Sequence, residues 1–304
     1  MSFGETAAHY GRKLVAKVYK PDADPGRAAR VYREYDEQMG FARYGDICRA
    51  RLTRGVSGEG SDLLQTGIQY ANVMSPAAAA VLLRDLTEDQ SVASVKKGNQ
   101  NLQGYRFDDH PARQAVVESL LTPEIDQLLI DFFESEYLVH WTLLSRNPVA
   151  ADPGVVSFNW HCDKGPARHL KLLFYLNGSE EHGGNTELID LEGSTRVAEK
   201  GYLFGRVAKR TSEISVLSKL AGTELHSVLR PIGAGEAVIF PPATVLHRGV
   251  SPTRAPRYVL TLCLLPSPVP WKQAFERGVI CDLAQQAKWP SHADELLRAL
   301  DIDR

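Results

Sequence analysis

Apolar and polar positions along this chain follow two rhythms, and the change between them falls near residue 136. Before it the spacing is helical. Pro25 opens a run rich in Ala, Arg and Glu to about Met39, and Ser75-Pro76 supplies a cap and a first-turn proline ahead of AAAAVLLRDL. AVVESLLTPEIDQLLIDFFES predicts helix broken and restarted at Pro123. From Tyr137 onward the apolar positions come in short runs separated by turn residues: YLVHWTLLSR, VVSFNWHCD, LKLLFYLNG, NTELIDL, HSVLRPIG, EAVIFPP and RYVLTLCLL. About seven or eight strands with no long helix between them predict an antiparallel sandwich, barrel or jelly roll, not a doubly wound sheet.

Residues 194–223 interrupt the strand rhythm with a charged, partly helical stretch, which is expected to be an insertion acting as a mobile lid. After Pro266, WKQAFERGVICDLAQQAKW and SHADELLRALDI predict C-terminal helices on the outside. The expected organisation is one compact domain: a mainly helical part over 1–136, a β core over 137–266 carrying the insertion, and helices over 267–304.

Composition narrows the partners. With 304 residues, 43% of them hydrophobic, the chain can bury a sizeable core, and a net charge of -2 gives no bulk attraction to nucleic acid. No segment approaches the roughly 20 apolar residues of a membrane span. A small-molecule partner is expected, with the oligomeric state left open. MSFGETAAHYGRKLVAKVYK lacks the apolar region of a secretory signal, which makes the cytoplasm the expected compartment. Cys48, Cys162, Cys263 and Cys281 are scattered with no CxxC pair, which argues for reduced thiols over a zinc knuckle or a disulfide framework.

The chemistry concentrates late in the chain. In an extended segment ending Trp160-His161-Cys162-Asp163, alternation places His161 and Asp163 on one face, about 7 Å apart along the backbone. An imidazole and a carboxylate so placed are two ligands of a two-His-one-carboxylate set, which leaves iron(II) with open positions. His247, between the strands of GEAVIFPPATVLHRGVSPTRAPRYVLTLCLL, is the candidate third ligand. Arg257 opens the final strand, and its planar fork suits the far carboxylate of a keto-acid whose other end chelates iron. Arg254 competes from the preceding turn. A zinc site of His161, Asp163 and His169 is an alternative that leaves His247 and Arg257 without a role. Thr142 and Ser145 offer hydroxyls for co-substrate binding or for structural bonds. Cys162, Trp160 and Trp141 read as core, and Lys200, Arg206, Lys209 and Arg210 as a solvated charged face.

His161-Cys162-Asp163, His247 and Arg257 together resemble the iron(II)/2-oxoglutarate-dependent dioxygenase superfamily, whose pattern is HxD, a long gap, His, and a basic residue about ten positions on. Trp160 and the turn Gly183-Gly184-Asn185-Thr186-Glu187-Leu188 further resemble its phytanoyl-CoA hydroxylase-like and prolyl-hydroxylase-like branches. Asp190-Leu191-Glu192-Gly193-Ser194 departs from the PGSH-type motif of the former. The resemblance implies a double-stranded β-helix (jelly roll, cupin-like) core over Trp141 to Pro266. It implies iron(II), 2-oxoglutarate and O2, with His161, Asp163 and His247 on the metal. Succinate and CO2 are then released and an unactivated carbon is hydroxylated, although relatives desaturate, cyclise or epoxidise. Asp163 argues against halogenation, which needs that ligand position vacant. A protein hydroxylase of the same superfamily and a non-catalytic cupin-like metal-binding sensor remain as alternatives.

Overall fold

The computed structural model describes residues 36–302 except 59, 89–92, 97–102, 107–112, 150–155, 203–209, 280, 283–289 and 291. Most of the helical run read from Pro25 lies outside the described residues, as do Arg206 and Lys209. Before residue 136 the chain forms α1 (Phe41–Ala50), α2 (Asp62–Gln65), β1 (Gln69–Asn72), α3 (Pro76–Glu88), β2 (Ala93–Lys96), β3 (Gln103–Arg106), α4 (Arg113–Leu120) and α5 (Pro123–Phe133). The helix starts follow local chemistry. Ser75 Oγ accepts from Ala78 N at 3.2 Å, and Thr122 Oγ1 accepts from Ile125 N at 3.4 Å with Pro123 in the first turn.

Beyond residue 136 come β4 (Glu136–Asn147), β5 (Leu170–Tyr175), α6 (Ser179–His182), β6 (Asn185–Ile189), α7 (Leu191–Glu199) and α8 (Ile214–Ala221). They are followed by β7 (Ser227–Val228), β8 (Glu236–Phe240), β9 (His247–Val250), β10 (Arg257–Ser267), α9 (Trp271–Glu276), β11 (Cys281–Asp282) and α10 (Asp294–Ala299). The large sheet has the order β1-β8-β5-β10-β4-β3-β2 with antiparallel neighbours, and β11 adds to β4 in parallel. A smaller sheet has the order β7-β6-β9. The central strands of the large sheet face the smaller sheet, and helices cover the large sheet's other face.

Period-two alternation divides the large sheet. Leu170, Leu172 and Phe174, with Leu260, Leu262 and Leu264, bury one face beneath Leu86, Val117, Leu120, Leu129 and Phe133 of α3, α4 and α5. The opposite face carries Lys171, Tyr175, Phe240, Arg257 and Val259 toward the smaller sheet. Three observations fix that direction. The Tyr175 hydroxyl donates to Thr186 Oγ1 at 2.7 Å, Phe240 packs its ring 4.9 Å from that of His247, and Arg257 donates to the Asn185 carbonyl.

Three local expectations change. The half read as helical also contributes β1, β2 and β3 to the large sheet. The segment holding the HxD triplet is not a strand: a 3-10 turn spans Val156–Phe158, and His161 makes a single bridge to His247. Its backbone is shared among separate segments, with Trp160 N donating to Thr211 O at 2.8 Å and Asp163 N to Pro242 O at 2.7 Å. No one neighbour runs alongside long enough to form a ladder. His247, read as lying between turns, belongs to β9. Among the described residues, no helix is long and apolar enough to cross a membrane.

Candidate metal centre

His161, Asp163 and His247 converge: one side-chain ligand atom from each lies within 4.8 Å of the other two. Reciprocal backbone bonds between His161 and His247, at 3.1 and 3.0 Å, bring the two segments together. Each ring is oriented from behind. His161 Nδ1 lies 2.7 Å from Asn159 O and His247 Nδ1 lies 3.0 Å from Val245 O. A carbonyl only accepts, so each Nδ1 carries the proton and each Nε2 presents a lone pair. Those Nε2 atoms stand 3.7 and 3.9 Å from the Asp163 carboxylate oxygens. Burial lowers the pKa of both histidines, that of His247 well below the ordinary value, which keeps them neutral and able to ligate. Burial pushes the Asp163 carboxyl up, but the Lys171 ammonium foremost outweighs it and holds the group well below the usual carboxylate range. Two neutral nitrogens and one carboxylate are a donor set that suits iron(II).

His169 does not join this cluster. Its Nδ1 faces Pro166 O at 2.5 Å, and burial lowers its pKa to about 4. The arrangement gives no support to the zinc alternative.

Arg257 is buried at 6% exposure, and its partners are neutral. Nη1 donates to the carbonyls of Asn185 and Val250, the latter at 3.3 Å. The Asn147 amide, oriented with its oxygen toward the guanidinium, accepts from Nε at 3.1 Å and Nη2 at 2.9 Å. Among the described residues no carboxylate pairs with it, and burial lowers its pKa. Asn185 and Val250, whose carbonyls accept from the guanidinium, are cross-strand partners, and Leu188 and His247 are partners farther along the same ladder. Gly249 lies between. It shares a face with His247, about 7 Å along the strand, and a Cβ there would lie 3.6 Å from Arg257 Nη2 and 3.0 Å from the Phe158 ring. A larger residue would press on the Phe158 ring and reach the guanidinium.

The other residues singled out from sequence are dispersed. Arg254 is in an exposed turn, with Nη2 3.3 Å from Ser179 O. Ser145 is on the inner face of β4, opposite Val259, whose carbonyl accepts its hydroxyl at 3.2 Å. Thr142 pairs with Leu262 and shares the helix-covered face with Leu144, so its hydroxyl is turned away from the metal cluster. Cys162 and Trp160 are buried. Trp141 is buried too, but its ring is 5.9 Å from the Lys171 ammonium on the inner face. Arg210 is not on a solvated face: it is half-buried and near enough for the charge of Asp163 to act on it.

The described part of the insertion packs behind the ligands. Val197 and Ala198 of α7 and Leu217 of α8 bury with Trp160, Cys162 and Leu246. Ser194 Oγ donates to Ile189 O and accepts from Leu246 N, both at 2.9 Å, which anchors the residue before His247. Tyr202 donates to Trp160 O at 2.8 Å, beside His161.

Comparison with known proteins adds similarity in chain course. No protein-family model matches the sequence, and no curated protein matches it. Among solved structures, the chain is similar to the epimerase SnoN from nogalamycin biosynthesis, in complex with Fe3+, alpha ketoglutarate and nogalamycin RO. That match has 13% identity and a TM-score of 0.46, covering 74% of this chain and 84% of that one. It is similar to EctD from S. alaskensis with 2-oxoglutarate and 5-hydroxyectoine, at 15% identity and a TM-score of 0.47 over 69% of this chain and 79% of that one. HygX from Streptomyces hygroscopicus, with nickel, 2-oxoglutarate and hygromycin B bound, matches at 15% identity and a TM-score of 0.43 over 67% and 85%.

Proposed function

We propose that this chain is an iron(II)- and 2-oxoglutarate-dependent dioxygenase that hydroxylates an unactivated carbon of a small molecule. His161, Asp163 and His247 hold the metal in this reading, and Arg257 holds the far carboxylate of the co-substrate. The observation that carries it is the buried Arg257 guanidinium, which among the described residues meets carbonyl and amide oxygens and no carboxylate. A buried cation without an anion is costly, and a dicarboxylate reaching from metal to guanidinium supplies that anion. Iron(II), 2-oxoglutarate and O2 together supply the oxidant, with release of succinate and CO2.

The chain's own residues do the positioning. The carbonyls of Asn159 and Val245 set the histidine tautomers, and Asn147 with the Asn185–Val250 pair fixes the fork of Arg257. Ser145 stands near Asn147 on the inner face as a further polar contact for the co-substrate.

The test is anaerobic reconstitution with iron(II) and 2-oxoglutarate, followed by admission of air. A weak visible charge-transfer band, then succinate, is the expected sequence. Folded, iron-loaded protein that shows no band on saturation with 2-oxoglutarate would overturn the assignment.

A further inference from the structure

The strand Leu170-Lys171-Leu172-Leu173-Phe174-Tyr175 places one charged residue among apolar neighbours. Lys171 belongs to the inner face, in register with Cys263 and Phe240, and Phe240 packs against His247. Its ammonium bonds Asp163 Oδ2, and the side chain is only 19% exposed. Oδ1 of the same carboxylate is 3.7 Å from His161 Nε2 and Oδ2 is 3.9 Å from His247 Nε2, so each oxygen faces one imidazole and the ammonium engages one of the two. The side chain thus contacts the one charged member of the cluster while its charge acts on both histidines.

We infer that Lys171 is a positioning residue that holds Asp163 to a one-oxygen mode of metal binding. A carboxylate with both oxygens free can chelate an ion, and chelation would occupy a position that a two-toothed co-substrate needs. With Oδ2 bonded to an ammonium, Oδ1 remains for the metal. The charge has a second effect. A carboxylate behind a ligating histidine raises its basicity, whereas a cation behind a ligating carboxylate lowers it and also repels the ion. Lys171 therefore weakens the bare metal's hold in exchange for an open coordination position. The co-substrate half of this inference rests on the function proposed above; the metal half does not.

The two effects predict shifts of opposite sign on removal of the ammonium. Lys171→Met keeps the length of the side chain and loses both charge and donor. Anaerobic titration with iron(II) and with cobalt(II), in competition with a chromophoric chelator, is expected to show roughly tenfold tighter binding, the low end of what partners behind a ligand contribute. The 2-oxoglutarate concentration at half-amplitude of the visible band is expected to rise by a similar factor. Lys171→Arg, which retains charge and donor, is expected to restore both toward the unaltered values. If both affinities weaken in Lys171→Met, the residue is merely structural. If only the 2-oxoglutarate requirement changes, it contacts the co-substrate directly, and if neither moves it has no role at the metal; each result overturns the inference. Should Lys171→Met fail to fold, Lys171→Gln retains a donor without charge, and metal affinity no tighter than in the unaltered protein would equally overturn it. Tighter metal binding in protein that never shows the band would remove the proposed function and leave Lys171's place beside Asp163 intact.

Discussion

At the Asp163 end of the site, a carboxylate and an ammonium are in contact beside two neutral imidazoles, whereas at the Arg257 end a buried guanidinium rests on carbonyl and amide oxygens. The first end pairs its one carboxylate with an ammonium, and the charge of that carboxylate also reaches Arg210. The second holds a surplus positive charge that carbonyl and amide dipoles only partly stabilise. One end carries a carboxylate between two imidazoles, and the other a guanidinium that meets no carboxylate among the described residues. That polarity fits a ligand with a chelating head and a charged tail.

The largest expected effect tests the metal end. Asp163→Ala removes the charged ligand and leaves Lys171 beside two neutral rings, so iron binding and oxidation are both expected to disappear. Full turnover in that variant, measured as succinate release, would remove Asp163 from the site. Truncation at the other end is expected to spare the metal. Arg257→Ala should raise the 2-oxoglutarate requirement by roughly 30-fold, with iron affinity in the absence of co-substrate unchanged. Loss of iron affinity in this variant would mean that the two ends are not separable as described.

A substitution at Gly249 comes next in size. Gly249→Val places atoms against the Phe158 ring and the guanidinium, and we expect about a tenfold rise in the 2-oxoglutarate requirement with little change in metal titration. A thermal-shift assay sharpens the result, because 2-oxoglutarate should raise the melting temperature of the iron-loaded protein much less in this variant. The smallest effects are controls on position. Ser145→Ala is expected to shift the requirement by about threefold, consistent with one modest hydrogen bond, and Arg254→Ala and Thr142→Val by less than about twofold, since one is in an exposed turn and the other on the opposite face. A large effect from Arg254→Ala would relocate the anion-binding end to the turn before β10.

Much of this site is legible in sequence because its members carry rare chemistry at short spacing. His161 and Asp163 are two residues apart, and His247 and Arg257 fall within one stretch that ends in a clear strand. Lys171 left a signal that period-two alternation can decode: a lone charge between Leu170 and Leu172 must face away from their core. Thr142 and Ser145 are three apart, so in a continuous strand they cannot share a face, and only one could ever have belonged to the site. Asn147 and Gly249 were not recoverable in this way. Asn147 meets Arg257 only because of the β4–β10 register, and Gly249 matters only because Phe158 and the guanidinium converge on it. Register between distant strands is a tertiary property. The strand β1 was hidden for a related reason: Gln69-Tyr70-Ala71-Asn72 has little β pattern of its own, and pairing with β8 determines its conformation.

That pairing of β1 with β8 imposes an order of events on synthesis. Tyr70 pairs with Val238, so the segment leaves the ribosome long before its complement exists. β3 has its partner β4 much sooner. The sheet can grow from the β3–β4 side while its far flank waits for residues 236–240, and β10, which lies between β4 and β5, arrives later still. A nascent chain halted after β5 therefore displays unsatisfied strand flanks, the kind of surface that recruits chaperones or seeds aggregation. Slow maturation, governed by the last strands to emerge, is the kinetic signature this topology carries.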